Sequence, residues 1–311
     1  SPAREAWDRL RDSAKVAGQV QKLLPHVSTA FWWTEPHVPL GSAVRAFAAL
    51  RRIKNVFTLA NYQRSYPFHD ALLRASLAGF DRIVSPCHAL EEHLAGLGIP
   101  RRRLLTIPLG VDLEHFRAVD PEEKARLRGS YGVDEGAKVI AWVGPIIPPS
   151  QLDDVRFLLA AVPTIRRRVP NAVFVFAFKY GIPHHLVPAH PWVKAIDRYR
   201  DIRDVFHMAD VVALPFTATD PWITVPLSMV EALACGVPVV TLRHPGLSEV
   251  VTDGESGVLV ERLEGLPQAV ADLCADESWL AHLAYGARRR AEESFDLRAA
   301  ARDYARLLLG E

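Results

Sequence analysis

Apolar positions change period along this chain, and each change marks an element. Between residues 3 and 24, Trp7, Leu10, Ala14, Ala17, Val20 and Leu24 recur at steps of three and four, one face of a helix. "HVSTAFWW" (26–33) reads as a strand running into a Pro-rich loop, "LGSAVRAFAALRRI" (40–53) as a helix and "NVFTLA" (55–60) as a β-rich run. The helices "HDALLRASLAG" (69–79) and "HALEEHLAGLG" (88–98) enclose the strand "FDRIVSP" (80–86), and "RLLTIPLGVD" (103–112) is a strand leaving the domain. Short strands that are apolar throughout are buried on both faces. Alternating with helices, they predict an α/β fold with a parallel sheet covered on each side.

The same rhythm restarts after "DPEEKARLRGSYG", which places a domain boundary near residue 113. Strands follow at 137–144, 172–178, 193–197, 210–216, 238–242 and 257–260, with helices at 152–170, 202–209, 226–235, 266–275, 277–293 and 297–309. The reading is therefore a first domain over 1–112 and a second over 113–294. A chain of 311 residues is long enough to bury two such cores.

Composition narrows the function classes. A formal charge of +1 argues against a large nucleic-acid footprint, and the runs Arg101–Arg103, Arg166–Arg168 and Arg288–Arg290 read as solvated helix ends and loops. Three widely spaced cysteines, Cys87, Cys235 and Cys274, fit neither a disulfide framework nor a zinc site. No apolar run approaches the roughly 20 residues that cross a bilayer. No signal peptide is visible, which leaves the cytoplasm as the expected location, free or peripheral at the inner membrane face.

The stretch "SMVEALACGVPVV" (228–240) carries the sharpest local signal. An apolar helix holds one acid, Glu231, near its start, stops at Gly236, and meets a β-branched strand after Pro238. Glycine ends helices and proline forces extended chain. The amino end of such a helix, beyond a parallel strand, suits a diphosphate.

"FDRIVSPCHALEEHLAGLGIPRRRLLTIPLGVDLEHF" and "ADVVALPF…PLSMVEALACGVPVVTLRHPGLSEVVTDGESGVLV" resemble, in order and spacing, segments of glycosyltransferase family 4. The resemblance covers about residues 80–311. It implies the GT-B fold, in which two Rossmann-like domains face a cleft, and a C-terminal helix, here 295–311, crossing back to the first domain. It implies transfer of a sugar, with retention of configuration, from a nucleotide sugar to a hydroxyl of a sugar, lipid-linked or small-molecule acceptor. No metal or other cofactor is expected. Glu231 matches the family's second glutamate and is expected to grip the ribose. Thr224, Val225, Leu227 and Gly144 would line sugar and phosphate, and Arg198 and Tyr199 fall where the base is usually held.

Several positions depart from the family. Ile223 stands where an earlier glutamate is usual, with Asp220 three residues out of register. Thr224–Val225–Pro226–Leu227 replaces a glycine-rich turn, and Pro145 and, roughly, Ser150 stand where an arginine and a lysine are usual. Lys179 and Arg243, each at a strand's carboxyl end, are candidate replacement cations. In the first domain Asn61, Tyr62 and Arg64 would meet the acceptor, and His69 either takes an acid/base role or opens the helix at 69. That domain lacks the family's opening strands, so another copy of the chain, a partner chain, or the helix 3–24 is expected to cover it. A catalytically weak or inactive nucleotide-sugar-binding or partner-binding protein is the alternative, and an epimerase on the same fold a third reading.

Overall fold

A computed structural model describes residues 29–33, 54–59, 69–145, 150–182, 186–187, 190–199, 201–217 and 224–309. The helices expected at 3–24 and 40–53 lie outside the described residues. The chain forms two compact units, residues 1–108 with 302–311, and residues 109–301.

In the first unit, β1 (Thr29–Trp33), β2 (Lys54–Thr58), β3 (Arg82–Ser85) and β4 (Leu104–Thr106) make a parallel sheet in chain order. Helices α1 (His69–Leu77) and α2 (His88–Gly96) connect them and bury Leu73, Leu77, Leu90 and Leu94 with Phe57, Ile83 and Val84. The basic run at 101–103 serves this packing. Arg103 donates to the carbonyls of Leu77 (2.7 Å) and Phe80 (2.8 Å), satisfying acceptors at the end of α1, while Arg101 pairs with Glu92 on the surface. Tyr304 meets the hydroxyl of Thr58 at 3.2 Å within the same unit.

The second unit holds six parallel strands in the order β10-β9-β8-β5-β6-β7: β5 (Lys138–Gly144), β6 (Ala172–Phe178), β7 (Val193–Asp197), β8 (Val211–Leu214), β9 (Val239–Leu242) and β10 (Gly257–Val260). Its helices are α3 (Pro121–Ser130), α4 (Ser150–Arg168), α5 (Ile202–Met208), α6 (Leu227–Ala234), α7 (Pro245–Ser248), α8 (Leu266–Ala275) and α9 (Glu277–Ser294). The last helix, α10 (Leu297–Leu309), begins in this unit, where Val111 bridges Asp296. Phe174, Phe176 and Phe178 are fully buried, as a strand covered on both faces requires.

The stretch "DPEEKARLRGSYG", to which the sequence pattern assigns no element, holds helix α3. Asp120 caps it through the Glu123 N–H (2.8 Å), and Pro121 opens it. It lacks an apolar stripe because its inward side chains are charged. Arg128 is 6% exposed and donates to the carbonyls of Met208, Glu135 and Ala137 and to Asp210 (2.7 Å). Lys124 reaches the other oxygen of Asp210, also at 2.7 Å.

Close backbone packing also explains Gly286. A Cβ there would stand 1.8 Å from the Glu255 carbonyl oxygen. Glycine to alanine within a helix normally adds up to about 1 kcal/mol. Here Gly286→Ala is expected to destabilise the fold by about 1–3 kcal/mol, because α9 must move off the 252–256 turn. Urea unfolding of the two proteins checks the sign.

Candidate functional site

The carboxyl ends of β5, β6 and β7 lie abreast, because Gly144 pairs with Phe178 and Phe178 with Asp197. Hydrogen bonds carry this register one residue beyond the sheet. The Lys179 N–H donates to Gly144 O (3.2 Å), and the Tyr199 N–H to Phe178 O (3.3 Å). Two tight turns sit at these ends. Gly181 has φ +119°, and the Arg198 guanidinium lies against it, 3.1 Å from where a Cβ would be. Arg198 itself has φ +48°, and Asp197 holds both turns by accepting from the Ile182 N–H (3.0 Å) and Arg198 (3.3 Å).

Helix α6 approaches from the neighbouring strand. Thr224 and Val225 are buried, Leu227 is exposed, and Pro226 stands at the N-cap with no side-chain cap. The first N–H groups of α6 therefore face out of its amino end. The helix closes as its sequence predicts. Gly236 has φ +72°, its N–H meets Leu233 O, and the Val237 N–H meets Ala232 O.

Glu231 is the fifth residue of α6 and half-buried. Burial raises its pKa to about 7, against the opposing pull of Lys179. The Tyr199 hydroxyl is pushed up to about 12 by burial and by the charge of Glu231. Glu231, far from both in sequence, thus feels the charge of Lys179 and acts on the Tyr199 hydroxyl. The Lys179 ammonium itself lies 5.5 Å from the centre of the exposed Tyr180 ring.

Two family models match the chain. The family described as "Glycosyl transferases group 1" matches residues 137–276, and "Glycosyltransferase Family 4" matches residues 33–115. The chain belongs to glycosyltransferase family 4.

Among family relatives, a GDP-mannose-dependent alpha-(1-6)-phosphatidylinositol monomannoside mannosyltransferase of Mycolicibacterium smegmatis is 30% identical over 239 residues, 68% of this chain and 57% of the relative. A D-inositol 3-phosphate glycosyltransferase of Segniliparus rotundus is 30% identical over 265 residues, 79% of this chain and 53% of the relative. The chain thus spans a little over half the length of these relatives. Anabaena HepE in complex with UDP has a similar structure, with a TM-score of 0.79 at 19% identity, covering 96% of this chain and 82% of HepE. The fold is GT-B.

The other expected positions fall in different places. Arg243 pairs with Asp253 and with Glu261 (2.5 Å), beside the opposite strand β10. Those two carboxylates hold its pKa above the usual value. His69 is the first residue of α1. Asn61, Tyr62, Arg64 and Asp220 lie outside the described residues, as does Ile223. Pattern reading missed Asp154 and Thr217, which join α4 to the chain leaving β8. One signal was legible: Asp154 puts a charge at the head of the buried stripe Leu158, Ala161 and Ile165, at helical spacing.

A cavity of about 470 Å³ opens at the other end of this sheet, where β5, β8 and β9 begin. Its cations are engaged: Lys124 by Asp210, Lys138 by Glu277, and Arg288 by Glu292 and the carbonyls of Phe116 and Ala234.

Proposed function

We propose that this chain moves a sugar from a nucleotide-sugar donor to an acceptor hydroxyl, with retention of configuration and without a metal. The half-buried Glu231 in α6, which feels the charge of Lys179 and acts on Tyr199, carries the reading together with the uncapped amino end of that helix. Glu231 accepts hydrogen bonds from the ribose hydroxyls. Tyr199 stacks on the base, and Arg198 borders it. The diphosphate lies at the amino end of α6, with Lys179 as its cation. As the bond from the sugar carbon to the diphosphate breaks, an oxocarbenium-like state develops and the acceptor hydroxyl attacks the same face. The protein supplies position and charge stabilisation.

Relatives guide the choice of donors for the test. One is named for GDP-mannose, and HepE has been solved with UDP-glucose. Calorimetry with UDP and GDP, and hydrolysis of UDP-glucose and GDP-mannose by the purified chain, test binding and turnover separately. Nucleotide binding with no turnover of any donor would favour the second reading, a binding protein without transferase activity. Two observations support that reading: Pro145 follows β5 where a cation is usual, and Arg243 is engaged by Asp253 and Glu261.

Glu231 gives the binding arm its control. Glu231→Ala is expected to weaken nucleoside-diphosphate binding at least about tenfold, since a charge-assisted hydrogen bond contributes roughly 1.5–3 kcal/mol. Its pKa of about 7 adds a pH signature. The carboxylate forms as pH rises, so affinity should increase from about pH 6 to 8. Glu231→Gln removes that increment while leaving the diphosphate's own titration in place. Identical pH profiles for the two proteins would refute ribose binding by Glu231.

A further inference from the structure

The second sheet reverses direction between β5 and β8: β6 and β7 continue on one side, β9 and β10 on the other. Parallel sheets open a crevice at such a switch point, beyond the carboxyl ends of the strands. A buried carboxylate spans it here. Asp154, in the second turn of α4, is 3% exposed. It accepts from both the N–H and the hydroxyl of Thr217, each at 2.7 Å, and from the Phe216 N–H. Phe216 is buried with φ +47°, a left-handed conformation unfavourable for an aromatic residue.

A core position would hold an apolar side chain. Asp154 lies in register with Leu158, Ala161 and Ile165, all buried, and its carboxylate is desolvated in order to hold two consecutive residues of the chain leaving β8. Burial keeps its pKa above the usual carboxylate range despite these hydrogen bonds, and Asp153 adds to the rise. The strain at Phe216 persists because the hydrogen bonds on either side of it determine the backbone.

We propose that Asp154 is a positioning residue for sugar transfer: it fixes Phe216 and Thr217, where the chain leaves β8, and so supports Thr224, Val225 and the amino end of α6, which the reading above places at the donor sugar. The proposal rests on the transferase reading above. It assigns Asp154 no contact with the nucleotide.

The test compares Asp154→Ala and Asp154→Asn with the unaltered chain by hydrogen exchange, by calorimetry with UDP and GDP, and by hydrolysis of UDP-glucose and GDP-mannose. In Asp154→Ala, amide exchange across 215–227 should accelerate about tenfold or more while the rest of the unit is unchanged. Nucleoside-diphosphate affinity should stay within about threefold, and kcat should fall about tenfold or more. Asp154→Asn, whose amide oxygen still accepts, should recover most of both effects. Unchanged exchange and kcat overturn the proposal. So does a uniform loss of stability, binding and turnover that asparagine does not recover, which would make Asp154 a core residue. If the unaltered chain turns over no donor, the transferase reading falls. Exchange then decides alone: acceleration confined to 215–227 keeps Asp154 as the anchor of that segment, and any other pattern removes it. Should Asp154→Ala fail to fold, Thr217→Val, which deletes one of the hydrogen bonds, replaces it with the same expected directions.

Discussion

Lys179→Ala should cut nucleotide-sugar turnover by about a hundred- to a thousandfold, the usual effect of losing one preorganised electrostatic contact to a departing group. Family members place two cations near the first strand of this domain, and this chain has Pro145 and, roughly, Ser150 there. Lys179 stands one strand away, its backbone bonded to Gly144 and its ammonium 5.5 Å from the Tyr180 ring, and its charge opposes the rise that burial causes in the Glu231 pKa. Arg243, the other basic residue considered, is engaged by Asp253 and Glu261. The charge on the leaving diphosphate develops in the transition state, so kcat should suffer far more than nucleotide affinity, which should change less than about tenfold. Lys179→Arg should recover part of the rate. Removing the cation should also move the Glu231 titration above 7, which NMR can follow without any substrate. Activity of Lys179→Ala within about threefold of the unaltered chain would assign the diphosphate's cation elsewhere.

Asp210→Ala is expected to destabilise the second unit by about 3–5 kcal/mol, because two cations lose their shared buried partner. Asp210 receives Lys124 and Arg128 on its two oxygens, each at 2.7 Å, and the Val139 N–H at 2.8 Å. Burial alone would raise its pKa, but Lys124 and Arg128 outweigh burial and hold it below the usual carboxylate range. A depressed carboxylate contributes stability above its unfolded pKa of roughly 4, and that contribution is lost as pH falls through the lower folded value. The gap between the two proteins should therefore be full at pH 7 and narrow below about pH 4. For a unit of this size the melting temperature should fall by about 10 °C at neutral pH. A loss below about 1 kcal/mol would mean that Arg128's carbonyl partners hold it without Asp210.

Most strands were legible because they are compact apolar runs, as in "AVFVFAF" after Pro170–Asn171. Helix α6 was legible because Gly236 and Pro238 punctuate it. Helix α3 was not, since periodicity counts apolar residues and its buried face is made of Lys124 and Arg128, whose partner Asp210 comes some eighty residues later. The signal that did mark α3 was the Asp-Pro-Glu-Glu start. Strand 103–112 was drawn too long for a related reason. Apolar residues continue past Thr106, but Val111 pairs with Asp296 and not with the sheet that holds β4.

Sequence alone determined the alternation of strands and helices, the family, and Glu231 as the acid of α6, because each is written in local spacing. Only the tertiary structure decided which charged residues act together. Lys179 and Arg243 look alike in sequence, each a basic residue after an apolar strand. They separate because β6 lies next to β5 and β7, where Tyr199 follows and the charge of Lys179 reaches Glu231, while β9 lies next to β10, whose following residue Glu261 binds Arg243. Asp154 carries no signal in sequence beyond its place in the helix 152–170, and its hold on Thr217 exists only where β5 and β8 meet at the switch point. Electrostatic and hydrogen-bonding partners are set by distance in space, and strand order, not sequence order, brings these residues together.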